Sequence, residues 1–179
     1  MEPNVTTTST VTTRNVGVRY GIIGGLVSIA YFLVLTTAGV DMSQGVGRWA
    51  GMIITIVIIY LAHKYYKDNG DGFMSFGQGV GIGFWIGLVS AVISSFFTYI
   101  YAKFIDESFI AGIREKAIAD MEAKGQTQEQ IDAAMKFVDM FTNAEAILFF
   151  GLFFGVLITV VVALIIAIFT QKPQPEQSI

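Results

Sequence analysis

The sequence predicts an all-α polytopic membrane protein, with four transmembrane helices and an extramembrane helical hairpin between the third and the fourth. Three observations carry that reading. Of 179 residues, 54% are hydrophobic and only 14% are charged, a balance outside that of soluble domains. Four stretches are long and apolar enough to cross a bilayer, which takes roughly 20 residues each, and they leave no room for a large soluble domain. Between the third and fourth stretches the apolar residues fall instead at three- and four-residue steps among charges, the pattern of surface helices.

Taken in order, residues 1–16 form a Thr-rich polar tail that is expected to be disordered. The first span, 17–40, would rise about 36 Å as a helix and holds a single charge, Arg19, at its edge. A cleaved signal peptide competes with it, because Ala38 and Gly39 are small, but the leader offers only Arg14 as a basic residue and the apolar run is too long. The second span, 46–66, runs into His63-Lys64-Tyr65-Tyr66-Lys67, an aromatic and basic cluster that marks a membrane border; His63 reads as an interfacial anchor there. After the turn Asp68-Asn69-Gly70-Asp71-Gly72, the third span, 73–104, meets no charge before Lys103. At about 47 Å it exceeds the hydrocarbon thickness, so it must tilt, project or break. The fourth span, 144–171, is uncharged beyond Glu145, which reads as a charge favouring the helix dipole, and residues 172–179 form a polar tail.

The intervening segment, 105–142, reads as two short amphipathic helices. Phe109, Ile110, Ile113, Ala117 and Met121 recur at helical steps until Gly125 supplies a C-terminal stop. Thr127 then opens a capping box with Gln130, followed by Ile131, Met135 and Val138 on one face. Four basic and eight acidic residues lie between positions 106 and 142, a balance that disfavours anionic headgroups.

An even number of spans puts both tails and the 64–71 turn on one side, and the 41–44 turn and the hairpin on the other. The tail side holds Arg14, Arg19, Lys64, Lys67 and Lys172 against four acidic residues; the other side holds six basic and ten acidic residues. Basic residues crowd the first, second and fourth spans on the tail side, which predicts cytoplasmic termini, a periplasmic hairpin and a bacterial inner-membrane address. Arg48 and Lys103 pull the other way.

Within lipid, small residues that let backbones approach organise helix packing, and here they recur at every fourth position. The first span has Gly17, Gly21 and Gly25, the second Gly47, Gly51 and Thr55, the third Gly79, Gly83, Gly87, Ala91 and Ser95, and the fourth Gly151, Gly155, Thr159, Ala163 and Ala167. These ladders serve packing within one chain or a face for a second copy or a partner span. The cluster around Gly77, Gly79, Gly81 and Gly83 lacks the register, preceding strand and context of a phosphate loop. A different reading has Gly77, Gly79 and Gly81 loosening the start of the third span, as in discontinuous transporter helices. Ser90, Ser94 and Thr98 share one face, and with Gln78 they define a candidate polar groove along the third span.

Chemistry-bearing groups are sparse. The span interiors hold no ionisable residue, there is no Cys and one His, and no nucleophile–base pair, metal cluster or paired carboxylates stand out. No catalytic, cofactor or metal residue is expected, hence no enzyme, and a net charge of -3 argues against a nucleic-acid partner.

The run Tyr66-Lys67-Asp68-Asn69-Gly70-Asp71-Gly72-Phe73-Met74-Ser75-Phe76-Gly77-Gln78-Gly79, continued by Gly83-Phe84-Trp85-Ile86-Gly87 and Phe97-Thr98-Tyr99-Ile100-Tyr101, resembles the domain-of-unknown-function 4199 family. These are small four-span membrane proteins, mainly of Bacteroidota. Lys103-Phe104-Ile105-Asp106, Met121-Glu122 and Met140-Phe141 are similar to it as well, so the resemblance covers about 14–170. It implies an inner-membrane address and no established activity. Family members often neighbour membrane glycosyltransferases, which implies a partner class. The expected function is a non-catalytic subunit or scaffold of a membrane complex, in contact with the bilayer and with a membrane-protein partner such as a glycosyltransferase or with further copies of itself. The alternative is a transporter or binding protein for small molecules or lipids, using the groove along the third span.

Overall fold

The computed structural model describes residues 11–40 and 45–175. The 41–44 turn and the outer parts of both tails lie outside the described residues. Among those described there are six α-helices, one π-helical turn and no strand. The helices are α1 (Thr13–Thr37), α2 (Gly45–Asn69), α3 (Phe76–Ile100), α4 (Ser108–Ala123), α5 (Gln128–Phe141) and α6 (Ala144–Thr170), with the π turn at Tyr101–Ile105 extending α3. Four of the helices, α1, α2, α3 with its π turn, and α6, are long and apolar enough to cross a membrane.

Polar side chains set the helix starts. The hydroxyl of Thr12 accepts the Asn15 N–H at 3.1 Å, so α1 begins inside the expected tail, four residues before position 17. At α3, Ser75 accepts the Gln78 N–H while the Gln78 side chain accepts the Ser75 N–H at 2.7 Å. This capping box starts the helix at Phe76 rather than 73. Asn143 caps α6 through the Ala146 N–H at 2.8 Å. Thr127 and Gln130 form the box that starts α5, and Gly125, at φ +73°, ends the turn after α4.

The third span is a continuous α-helix from Phe76 to Ile100, so the glycines at 77, 79 and 81 do not break it. Its irregularity lies at the opposite end, where the Asp106 N–H reaches back to the Tyr101 carbonyl at 2.9 Å. That wider turn redirects the chain into α4, one solution to a run too long for the bilayer.

α3 is the centre of the bundle, packed along α1 on one side and α6 on the other, while α2 touches all three more sparsely. The α3–α6 contact is an antiparallel ladder with a four-residue step on both helices. A Cβ built on Gly79 would lie 3.1 Å from Ala167 Cβ, on Gly83 2.1 Å from Ala163 Cβ, on Gly87 2.9 Å from Thr159 Cβ, on Gly155 3.0 Å from Ala91 Cβ, and on Gly151 2.8 Å from Ser95 Oγ. Each rung sets a glycine against a small residue, so the two backbones approach more closely than side chains would allow. α1 runs parallel to α3 with the same step but opposite logic: Gly17, Gly21 and Gly25 receive Trp85, Val89 and Ile93, with Cβ separations of 2.3, 2.7 and 2.8 Å. α2 is buried chiefly at Ile58, Ile59, Ala62 and His63, and the first three join Val16, Met74, Ile82, Ile86 and Ala163 in one apolar core. That core fills the half of the bundle nearest the chain tails.

α4 and α5 lie side by side, with Arg114 and Asp139 paired at 3.0 Å. Phe109 of α4 packs edge-on against Phe32 and Tyr101, which docks the hairpin on the ends of α1 and α3. Lys103 and Glu145 pair at 2.7 Å and set the end of α3 level with the start of α6. Glu145 thus has a lysine partner besides its place in the first turn of α6.

Candidate functional site

Just beyond the core, at mid-depth, the four spans enclose a cleft of about 200 Å³. Every long helix contributes a hydroxyl to its lining: Ser28 from α1, Thr55 from α2, Ser90 and Ser94 from α3, and Thr159 from α6. Ile54, Ile58, Ile86 and Ile158 supply the apolar wall. The cleft exists because small residues draw α1 and α6 tightly onto α3 while α2 holds on elsewhere. One end of α2 is fastened in the core, and its opposite half leans on α1, where the Tyr31 hydroxyl donates to the Gly47 carbonyl and the Tyr31 ring covers Gly51. Nothing draws the middle of α2 towards α6, and a gap remains.

The hydroxyls are oriented by their own helices. Ser90 donates to the Ile86 carbonyl at 2.6 Å, Ser94 to that of Ser90 at 2.8 Å, Thr55 to that of Gly51 at 3.1 Å and Thr159 to that of Gly155 at 2.8 Å. A hydroxyl that donates one turn back keeps its acceptor lone pairs, and these remain for the cleft. Ser28 makes no hydrogen bond among the described residues, so it can both donate and accept. No charged side chain lines the space. A space of this size holds several water molecules or a small polar group, and its chemistry suits a neutral hydrogen-bond donor rather than an ion.

Of the candidate groove, Ser90 and Ser94 come together here. Thr98 lies one turn further along, bonded to the Ser94 carbonyl at 2.9 Å, and is not part of the lining. Gln78 is corrected: it is exposed at the start of α3, where its side chain closes the capping box. The Ser-x-x-Gln spacing at 75–78 is the same signal that marks Thr127 and Gln130. Thr55 and Thr159 were legible as rungs of the small-residue ladders, and nothing in the sequence tied Ser28 to them. Among the expected packing glycines, Gly21 and Gly25 face α3, Gly79, Gly83, Gly87, Gly151 and Gly155 lie between α3 and α6, and Gly47 and Gly51 meet Tyr31 of α1.

The tail-side end of the bundle closes on a polar latch. His63, expected at a membrane border, is fully buried at 0% exposure. The hole it fills exists because Gly79 has no side chain: a Cβ there would come within 3.3 Å of the imidazole Cε1 and of the Met74 methyl. Its Nε2 lies 3.0 Å from the Gly79 carbonyl, which can only accept, so Nε2 carries the hydrogen. The Thr170 hydroxyl lies 2.8 Å from Nδ1 and 2.9 Å from the Ile166 carbonyl of its own helix, and its one hydrogen serves one of the two at a time. Lys67 donates to the Thr170 carbonyl at 2.8 Å, and Met74 and Lys172 exchange two backbone hydrogen bonds of 2.8 Å. The latch thus ties α2 to α3 and α6 at one end only. Its sequence signal is the inward stripe Gly51, Thr55, Ile58/Ile59 and Ala62/His63 at helical spacing, which Lys64 beside it obscures.

Basic residues ring the same end on aromatic faces. Arg14 lies over Trp85 at 5.3 Å, Arg19 over Tyr65 at 4.8 Å and Lys172 over Phe73 at 5.4 Å. Aromatic rings carrying cations belong at the level of lipid headgroups. Four apolar helices crossing in alternate directions, with wide apolar flanks and, among the described residues, no charge in the bundle interior apart from its rim, define a multi-pass membrane protein in contact with lipid.

The model of the family described as "Protein of unknown function (DUF4199)" matches residues 19–172, and the chain belongs to that family. No curated protein and no solved structure matches.

Proposed function

We propose that the protein is a small non-enzymatic inner-membrane protein that holds the neutral, hydrogen-bond-donating end of an amphipathic molecule in its mid-depth cleft. The observation that carries this reading is the convergence of five hydroxyls from four helices on one uncharged space of about 200 Å³. Binding sites in bundles form between helices, and those of membrane carriers lie near the midplane. The aromatic-mounted cations at the tail end support cytoplasmic termini and an extramembrane, periplasmic hairpin.

Single cysteines test it cleanly, because the chain has none of its own. Ser28→Cys, Thr55→Cys and Ser94→Cys are expected to react with a small water-soluble thiol reagent in membranes. Ile165→Cys, on the exposed flank of α6, is expected to stay unreacted, since thiolate needs water. Inaccessibility of all three cleft positions would sink the proposal. Mass spectrometry of lipids and small molecules that co-purify, and that protect Ser94→Cys, then identifies the ligand class.

A second reading, a non-catalytic subunit of a membrane complex, has its own observation. Phe84, Phe149, Phe153 and Leu157 line an apolar groove of about 410 Å³ along the outer face of α3 and α6, a shape that accepts an acyl chain or a partner span. A glycosyltransferase or a second copy would be captured by crosslinking from Phe153 and by mild-detergent purification. Isolation of the chain alone in both experiments removes this reading.

A further inference from the structure

α5 carries two apolar faces, and only one is used inside the chain. Ile131 is buried, with Ala134, Met135 and Val138 half-buried beside it on the face that meets α4. At 100° per residue, Phe137, Met140 and Phe141 form a different arc of about 100°, and Asp132, Lys136 and Asp139 fill the remainder. The second apolar arc is uncovered: Phe137 is 69% exposed and Met140 60%. Two large apolar residues facing water on a 14-residue helix forfeit the gain that their burial would bring.

The arc does not end with α5. Phe141 packs against Phe150 of α6 with ring centroids 4.5 Å apart, and Phe150 meets Phe149 and Phe154. Phe149, Phe153 and Phe154 are exposed on the flank of a helix whose outer face meets lipid. The level of the bilayer border is marked by the Lys103–Glu145 pair, four residues beyond Phe141, and by Phe104 and Ile105, exposed at the end of α3. The uncovered arc of α5 is therefore continuous with the lipid-facing surface and begins at the border itself.

We infer that the C-terminal half of α5 is an interfacial helix whose Phe137, Met140 and Phe141 edge enters the hairpin-side leaflet of the bilayer. The occupant of this face is lipid. Its charge agrees: Glu129, Asp132 and Asp139 against Lys136 make the polar arc acidic, so apolar burial holds the helix down and anionic headgroups are not required. The hairpin thus has a fixed height, with its far turn at Gly125 standing away from the membrane and its near end anchored in it.

The full chain, reconstituted in zwitterionic phosphatidylcholine bilayers, tests this with single spin-labelled cysteines at Phe137→Cys and Met140→Cys. Asp132→Cys on the charged arc and Ile165→Cys at mid-span serve as references. Paramagnetic relaxation by oxygen, which concentrates in lipid, is compared with relaxation by a water-soluble nickel chelate. Positions 137 and 140 are expected to favour oxygen, at a depth between the two references, while 132 favours nickel. A nickel-dominated response at 137 and 140 matching that at 132 would overturn the inference by placing the edge in water. Low access to both reagents at 137 and 140 would overturn it too, by showing a protein surface there. Both labelled positions are exposed, so neither substitution disturbs the packing that folds the chain.

Discussion

The tightest rung of the α3–α6 ladder gives the sharpest test of how this bundle is built. In Gly83→Ala the new methyl would sit 2.1 Å from Ala163 Cβ and 3.5 Å from Ala163 Cα. Carbons rest at roughly 3.5–4.0 Å, so the helices must part there by about 1.4–1.9 Å. Alanine has no rotamer with which to yield. A gap of even 0.5–1 Å forfeits roughly a quarter to a half of the dispersion well of each facing contact, and the neighbouring rungs at Gly79 and Gly87 share the displacement. Overpacking in a tight core typically costs about 1–3 kcal/mol, and we expect Gly83→Ala near the upper end, at about 3 kcal/mol. Ala163→Gly alone loses one buried methyl and some helix propensity, about 1–2 kcal/mol. The double variant merely moves the methyl from α6 to α3, so it is expected within about 1 kcal/mol of the parent, a coupling of about 3–5 kcal/mol. Equilibrium unfolding by SDS titration in mixed micelles, followed by circular dichroism, measures all four proteins. Gly77→Ala, with no atom within 4 Å of its Cβ, is the neutral control. The packing argument is wrong if Gly83→Ala unfolds with the parent, or if Ala163→Gly fails to rescue it.

Two further outcomes follow from the polar groups. His63→Ala removes the hydrogen bonds that α2 makes to the Gly79 carbonyl and the Thr170 hydroxyl and opens a cavity beside Met74 and Gly79; a loss of about 3 kcal/mol is expected in the same titration, with part regained in His63→Gln, and an unchanged midpoint would show that the latch does not hold α2. Outside the spans, the Asp106 carboxylate accepts hydrogen bonds from the Ser108 hydroxyl at 2.6 Å and the Ser108 N–H at 3.0 Å. The Ser108 side chain, then its backbone, with Tyr101 and Phe109, holds the Asp106 carboxyl below its ordinary value. A depressed folded value means a contribution present above the unfolded value, near 3.9, and lost as pH falls through the lower folded one. The Ser108 amide is expected to lose hydrogen-exchange protection only in that acidic window, and Asp106→Asn to remove the pH dependence; a midpoint at or above the unfolded value would refute the assignment.

The spans and their small-residue faces were legible because both signals are local. Apolar length identifies a crossing segment by itself, and a four-residue step survives whatever the helix packs against. What a single helix does not encode is which face meets which neighbour. The glycine ladders of α1 and α3 look alike in sequence, yet α1 receives Trp85, Val89 and Ile93 into its gaps while α3 and α6 interlock small against small. His63 failed for the same reason. Lys64 and Lys67 beside it locate the membrane border, but its burial depends on Gly79, sixteen residues on, and Thr170, more than a hundred away. Gln78 was grouped with Ser90, Ser94 and Thr98 as a polar residue of the third span, when its distance from Ser75 already placed it in a cap. The π turn has no composition signal at all; it lies between the end of the third span and Phe109, which docks on Phe32.

The same unequal packing decides where the bundle can change. α1, α3 and α6 form a slab knitted along its length, whereas α2 is held by its buried stretch around Ile58 to His63 and by Tyr31 near its other end. In lipid no hydrophobic force presses loosely packed helices together, so an interface is only as firm as its close contacts and hydrogen bonds. Widening the cleft by moving α6 would break the ladder rung by rung. Moving the middle of α2 breaks little, because Thr55 is satisfied by its own helix through the Gly51 carbonyl and carries that bond with it. On the proposed binding role, a larger group would be admitted by displacement of α2 about the latch while the slab keeps its form. On that same role, the discriminating residues would lie on the slab side, at Ser28, Ser90, Ser94 and Thr159, and the yielding wall at Ile54 and Thr55.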